Sequence, residues 1–393
     1  MSAPAPERRP VHVLQVGTDA TVFDTDAASD TRERQLRYAA ALDERAPGSR
    51  VTYLVVAPGR VESFATAGFR ARAVSGSPLR LAAAIREVDR GDAIDLIATQ
   101  TPFVDAWVAL VVGRLLRVPV LAQIHFEPFD HVGTASTPLR RALRAARWVV
   151  AVVALRGCAA VRVVNRTTAD RLARRGVRRV VVAPVPISPA AEASSRDTEV
   201  ARDHIVLFVG RVAPEKNPRR WVAVAAQVAA TDAHARFVVA GDGDALDDMK
   251  RAAAETGVAD RFTWLGRVPH AQLHPLYASA SVLLLTSDYE GFGRVLVEAA
   301  RAGTPAVVTR VSGVGDVVVD GETGFVHDRD DVGGLAASVS RLLHDPDTRA
   351  RLGTAAAAHA DLAFDPLTLT DRWVDLLYRT ATGARQNGYR IAV

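Results

Sequence analysis

Short apolar runs, each about the length of one strand, alternate with helix-length periodic segments along nearly the whole chain. This alternation restricts the fold more than any other feature. Runs that are apolar at successive positions suit strands buried on both faces, and such strands belong to parallel sheets covered by helices. A first series places strands at Val11–Val16, Val51–Val56, Ile94–Ala98, Val120–His125, Val161–Val164 and Val180–Ala183. A second runs through "HIVLFVGR", "ARFVVAG", "FTWLGRV", "SVLLLTS" and "PAVVTR". Asp30 and Glu33 make a capping box for the helix "TRERQLRYAAALDER". Between the two series, Pro184–His204 is rich in Pro, Ala, Ser and Asp, has neither period, and reads as an interdomain linker. After Asp365 a last helix carries Leu369, Trp373, Leu376 and Leu377 at its apolar positions. The expected fold class is α/β, with two Rossmann-like doubly wound domains.

A chain of 393 residues is long enough for two or three such domains. With 49% hydrophobic and 24% charged residues, the composition is that of a soluble globular protein. The single cysteine, Cys158, excludes an intrachain disulfide and any multi-cysteine zinc site. "MSAPAPERRP" has no apolar core of a secretory signal, and no apolar stretch is long enough for a bilayer, so a cytoplasmic location is expected. The formal net charge of +5 is spread along the chain without a zinc-finger, RNA-recognition or basic-zipper pattern, so no nucleic-acid partner is expected. Lys216 and Lys250 are the only lysines, which makes the position of each mildly informative.

Two doubly wound domains fit a dinucleotide oxidoreductase, a periplasmic-type binding protein or a GT-B glycosyltransferase, and only a site can choose among them. The segment "SDYEGFGRVLVEAARAGTPAVV" reads as a tight turn, a buried helix and a strand, yet carries Glu290 and Glu298 with seven residues between them. Its turn lies where open parallel sheets bind ligands. Burying two carboxylates there without polar partners costs on the order of several kcal/mol, so something polar is expected in that crevice. In "FVGRVAPEKNPRRW", Gly210 allows a close turn, and Arg211 and Lys216 precede a helix beginning near Pro218. Two cations and a helix N-terminus at the end of a strand suit a diphosphate, and a solvated turn with surface cations is the plain alternative. "AGDGDALDD" lacks the GxGxxG spacing of a dinucleotide site. Asp242 with Asp244, and Asp24 with Asp26, have the spacing of a DxD metal motif, but aspartates at that spacing are common in turns.

Taken in order, "GRVAPEKN", "GDGD", "WLGRVPHAQLHPLYASASVLLLTS", "EGFGRVLVEAARAGTPAVVT" and "DGETGFV" resemble the GT-B glycosyltransferases of family 4, which are retaining and use nucleotide sugars. The resemblance implies two domains facing across a cleft. Residues 1–190 form the acceptor domain, 191–364 the donor domain, and 365–393 a helix returning to the first. It places Arg211 and Lys216 on the donor diphosphate, Glu290 at the donor sugar and Glu298 on the ribose hydroxyls. The Gly291–Phe292–Gly293 backbone lets the sugar approach, and Gly17, Gly241, Asp242, Arg267 and Val268 complete the donor site. No cofactor and no metal are implied beyond a UDP- or GDP-sugar co-substrate.

The first half resembles the family less sharply. "TQTPFVDAWVALVVGRLLRVPVLAQIHFEPFD" fits members in which a strand-end histidine, here His125, lies between acceptor and donor sugar. There it can hydrogen-bond a hydroxyl or share a proton. A core histidine bonded to backbone is the alternative. Phe126, Glu127 and Asp130 follow it as acceptor candidates. After the first strand only Gly17 stands where many members have two glycines, and Asp19, Asp24, Asp26 and Asp30 follow without a cation before Thr31. That negative field would favour a small aminated acceptor of aminocyclitol type. Against it, Arg140, Arg144 and Arg147 stand at helical spacing ahead of an apolar run, a pattern that suits peripheral contact with the inner face of an anionic membrane. The expected function is metal-independent transfer of a hexose-type sugar to a glycan or lipid-linked glycan. The aminated acceptor is second, and a catalytically silent nucleotide-sugar-binding partner is the reading from another class.

Overall fold

The computed structural model describes residues 8–24, 30–126, 137–187 and 204–383. They gather into two compact units, one of residues 8–24, 30–126, 137–186 and 367–383, the other of 187 and 204–366. Residues 188–203, most of the expected linker, lie outside the described residues.

The first unit is built on a sheet whose described strands are β1 (His12–Gly17), β2 (Arg50–Val56), β3 (Ser63–Thr66), β4 (Phe69–Val74), β5 (Leu96–Thr99), β6 (Val120–Ile124), β7 (Ala160–Val163) and β8 (Val180–Val182). Their order is β3-β4-β2-β1-β5-β6-β7-β8. All neighbours run parallel except β3 and β4, which are antiparallel. β1, β5, β6 and β7 are buried at every position, as strands covered on both faces must be, and they bury His12, Gln15, Gln123 and Arg162 along with their apolar residues. The β3–β4 hairpin is absent from the sequence reading. β4 alternates exposed or half-buried Arg70 and Arg72 with alanine, so it has no apolar run, and Gly68 at φ 73° supplies the turn.

The second unit holds β9 (Ile205–Val209), β10 (Arg236–Ala240), β11 (Phe262–Gly266), β12 (Val282–Leu285), β13 (Ala306–Thr309) and β14 (Gly324–His327). All are parallel, in the order β11-β10-β9-β12-β13-β14. β14 comes from "DGETGFV" and extends the sheet by one strand beyond the apolar runs. Between β9 and β12 the order reverses, which is the switch point where such sheets open a crevice at their carboxyl ends.

The last helix, Pro366–Thr382, belongs to the first unit. Its Trp373, Val374, Leu376 and Leu377 are buried in one core with Val13, Leu42, Val51 and Tyr53. Arg45 pairs with both Asp371 and Asp375 of this helix. Arg162 is almost wholly buried and lies 4.2 Å from the Trp373 ring centroid. It donates to the carbonyls of Ala183 (2.7 Å) and Pro184 (2.9 Å) and to Gln123 Oε1 (3.0 Å), so the buried charge is hydrogen-bonded on three sides. Two Rossmann-like parallel sheets with a carboxyl-terminal helix returned to the first make this the expected GT-B fold. Among the described residues no helix is long and apolar enough to cross a membrane.

Candidate functional site

β9 is followed by Gly210, whose φ of 127° is a conformation that residues with side chains rarely adopt. Its neighbour loop must approach closely: a Cβ on Gly241 would overlap the Gly210 carbonyl oxygen. The chain then passes Arg211 and a short 3₁₀ turn, Pro214–Lys216, before helix Pro218–Thr231. Asn217 stands in the left-handed region and accepts from the Arg220 backbone N–H (3.1 Å), capping that helix.

This loop is fastened to the one after β12. Asn217 donates to both oxygens of Asp288 at 3.2 Å, and Arg220 donates to Asp288 Oδ1 (2.8 Å) and the Thr286 carbonyl (2.9 Å). The Thr286 hydroxyl donates to the Lys216 carbonyl at 3.0 Å, and the Asp288 N–H to the Glu215 carbonyl at 2.8 Å. Two loops far apart in sequence thus form one rigid rim. On that rim the Lys216 ammonium pairs with Glu290, their side chains 17% and 15% exposed. Arg211, 65% exposed, pairs with Glu215. Each expected cation therefore rests on a carboxylate, and an arriving diphosphate would replace two carboxylates as the cations' partner.

Gly293, at φ 70°, precedes the helix Arg294–Arg301. The backbone of Glu290 and Gly291 is so close to Gly313 that a Cβ there would overlap both. Phe292 turns inward and meets Phe364 edge-on, with centroids 5.3 Å apart, so only its backbone is available at the turn. Glu298 is nearly buried on its helix and accepts from the Tyr277 hydroxyl at 2.8 Å; the His270 ring nitrogen lies 3.3 Å from its other oxygen. Burial, and then the Glu298 charge, raise the Tyr277 pKa well above its usual value, so the phenol stays protonated and donates. Arg267 is exposed and Val268 half-buried just after Gly266, which has φ 64°. Asp242 is exposed and accepts from the Gly243 backbone N–H at 2.8 Å, the turn role that competes with a metal role.

In the first unit, Gly17 ends β1 where a Cβ would overlap the Tyr53 hydroxyl and Gln100 Oε1, which are hydrogen-bonded at 3.0 Å. Asp19 is engaged locally. Its oxygens accept from the Thr21 N–H (3.1 Å), the Thr21 hydroxyl (2.6 Å) and the Thr31 hydroxyl (2.6 Å). Asp24 is exposed. Asp26, Glu127, Asp130 and the Asp30 side chain lie outside the described residues. Phe126 joins Phe103 and Trp148 in an aromatic cluster with centroids 5.2–6.1 Å apart.

His125 follows β6 and is half-buried. Burial, with the Arg162 and Arg34 charges adding to it, lowers its pKa to about 3. The ring is neutral near pH 7, so it can exchange hydrogen bonds with a hydroxyl but is a poor proton donor in this state. Because the folded pKa lies below the unfolded value, the neutral ring's stabilisation is present above about pH 6.5 and is lost as pH falls toward 3. We expect acidification from pH 7 to pH 5 to cost about 1 kcal/mol through this ring, allowing for its partial exposure. Melting curves of wild type and His125→Gln at both pH values check this. Equal pH sensitivity of the two proteins would remove His125 as the cause.

The sequence reading missed Glu215, Asn217, Arg220, Asp288, Tyr277 and His270. Of these only Asn217, directly before a helix-opening proline, carried a local signal. Glu215 stands four residues after its partner Arg211, and the remaining four stand at no fixed spacing from the donor-site candidates.

The family described as Glycosyltransferase Family 4 matches residues 17–191, and the family described as Glycosyl transferases group 1 matches residues 191–359. A 2-deoxystreptamine glucosyltransferase of Streptomyces kanamyceticus is 32% identical over 255 residues, covering 60% of this chain and 64% of that protein. A D-inositol 3-phosphate glycosyltransferase of Acidothermus cellulolyticus is 36% identical over 165 residues, 40% of this chain and 37% of that protein. The chain thus spans less than two thirds of these relatives' length. Among solved structures, a sucrose-phosphate synthase from Thermosynechococcus elongatus superposes with a TM-score of 0.79 at 22% identity, covering 95% of this chain and all of that one. Anabaena HepE in complex with UDP and glucose gives 0.70 at 18% identity, covering 93% and 99%. At such identities the two structures establish the fold alone.

Proposed function

We propose, for a chain that belongs to family 4 of the glycosyltransferases, that it moves a hexose-type sugar from a nucleoside-diphosphate donor to an acceptor hydroxyl with retention of configuration. The observation that carries this reading is the rim of the second unit. There Lys216 and Glu290, from loops after the neighbouring strands β9 and β12, form a largely buried ion pair at the switch point. In the reaction the bond from the anomeric carbon to the diphosphate oxygen breaks, and its electron pair stays on the leaving phosphate. Lys216 and Arg211 are placed to take up that charge without a metal, and Glu290, released from Lys216, faces the positive charge growing on the sugar. The acceptor oxygen bonds to the same face of that carbon, and its proton passes to a phosphate oxygen. Glu298 is the ribose ligand, held in place by Tyr277 and His270. His125 offers its neutral ring to a sugar hydroxyl.

Calorimetry with UDP-glucose and GDP-mannose in the presence of EDTA tests the reading. One of these donors is expected to bind, and Glu298→Gln, which keeps an acceptor for Tyr277, should weaken it by about 1.5–3 kcal/mol. Binding that vanishes in EDTA, or that Glu298→Gln leaves unchanged, would refute it.

For the acceptor, a small aminated cyclitol is favoured by the 2-deoxystreptamine relative and by the exposed Asp24 after β1. A lipid-linked glycan is favoured by a different observation. Leu139 and Leu143, on helix Pro138–Gly157, are 69% and 61% exposed beside Arg140, Arg141 and Arg147, which are exposed too. Flotation with anionic liposomes at low salt separates the two. Protein that stays in solution and glycosylates a soluble aminocyclitol supports the first, and protein that floats supports the second.

A further inference from the structure

The second unit carries another polar cluster at the opposite end of its sheet. His204 precedes β9, Asp232 ends helix Pro218–Thr231, and His344 ends helix Val332–His344. His204 thus stands one residue before β9, whereas Gly210 and the rim follow it. His204 Nδ1 lies 2.7 Å from Asp232 Oδ2, and His344 Nε2 lies 3.5 Å from the same oxygen. All three ligand atoms fall within 4.8 Å of one another. The two imidazole rings are nearly perpendicular, with centroids 5.5 Å apart.

Three features set this cluster apart from a solvated group of charges. The Asp232 side chain is only 2% exposed, and its other oxygen accepts from the His234 backbone N–H at 2.8 Å. The His344 Nδ1 lies 2.9 Å from the Ser340 carbonyl, which can only accept, so Nδ1 carries the hydrogen. In neutral His344 the unprotonated Nε2 then lies 3.5 Å from a carboxylate oxygen, so two electron-rich atoms are neighbours. A cation held by both, a metal ion or a proton on Nε2, resolves the conflict. Nearby, Arg261 donates to the Asp232 carbonyl at 2.7 Å rather than to its carboxylate. The His234 ring stands 6.2 Å from that of His204, outside the set of three.

We propose that His204, Asp232 and His344 bind a divalent ion of the zinc class. Two imidazole nitrogens and one carboxylate oxygen are the donor set of such ions, and too rich in nitrogen for calcium or magnesium. On binding, His204 moves its hydrogen from Nδ1 to Nε2 and gives the Nδ1 lone pair to the ion, with no net proton released by neutral rings. The carbonyl behind His344 is the outer partner that commonly fixes a metal-binding histidine. The ion ties the start of β9 to the ends of two helices, so it stabilises the second unit and takes no part in the sugar transfer.

The test uses tag-free full-length protein, stripped with EDTA and desalted, then titrated with zinc chloride. We expect one equivalent of zinc to bind, to raise the melting temperature by several degrees, and cobalt to give the visible absorption of a four-coordinate site. His344→Gln, at an exposed helix end, should weaken binding about 10-fold or more and abolish the thermal shift; His204→Gln is the second variant and should do the same. UDP-glucose affinity should be unchanged in both. No saturable zinc binding by the wild type, or zinc binding as tight in both variants, would overturn the proposal.

Discussion

Replacing Lys216 by alanine should reduce turnover by about 10²–10³-fold, the loss expected when one preorganised donor to a developing oxyanion is removed. That corresponds to about 3–4 kcal/mol of transition-state stabilisation. The fold should survive, because the rim is held through the Lys216 carbonyl, Asn217, Arg220 and Asp288, all of which remain. A rival explanation is that Lys216 serves only to neutralise Glu290, its partner in the resting site. The two are separable. If neutralisation were the whole role, the double variant Lys216→Ala/Glu290→Gln would recover to the turnover of Glu290→Gln alone. We expect no restoration, since the uncharged pair has nothing to offer the leaving diphosphate. Steady-state kcat and KM for the three variants decide the matter, and recovery in the double variant would refute the assignment.

Trp373→Ala should destabilise the first unit by about 3–5 kcal/mol, the range for removing a large buried aromatic. Trp373 is 1% exposed, packs edge-on against Tyr38 at 6.1 Å between centroids, and carries the Arg162 guanidinium over its ring. Its loss leaves a void beside a buried charge, which few rearrangements can fill. The proposed donor ligands Arg211, Lys216, Glu290 and Glu298 lie in the other unit, so nucleotide affinity at 25 °C should change little in protein that remains folded. Chemical denaturation followed by tyrosine and tryptophan emission reads the effect. A midpoint equal to that of wild type would show that the carboxyl-terminal helix adds little to the first unit.

The local character of this chain was written in its residue order. A short, mostly apolar run bounded by turn residues suits a strand covered on both faces, and β1, β6, β7, β12 and β13 occur where such runs stand, burying Gln15, Gln123 and Arg162 along with their apolar neighbours. The strand, tight turn and helix around Glu290 and Glu298 were equally plain, because glycine and helix period act over a few residues. β4 escaped because arginines break its run, and the hairpin it makes depends on a neighbour strand for its burial.

Only the tertiary structure decided what each polar group meets. Lys216 and Glu290 are 74 residues apart in sequence, Glu298 and Tyr277 are 21 apart, and Arg45 and Asp375 are 330 apart. None of these separations corresponds to a strand or helix period. The first pair forms because β9 and β12 are neighbours in the sheet, which brings together the loops at their carboxyl ends. Strand order is set by how whole helices and strands cover one another. Periodicity specifies which face of an element is buried, and it is silent about which element buries it.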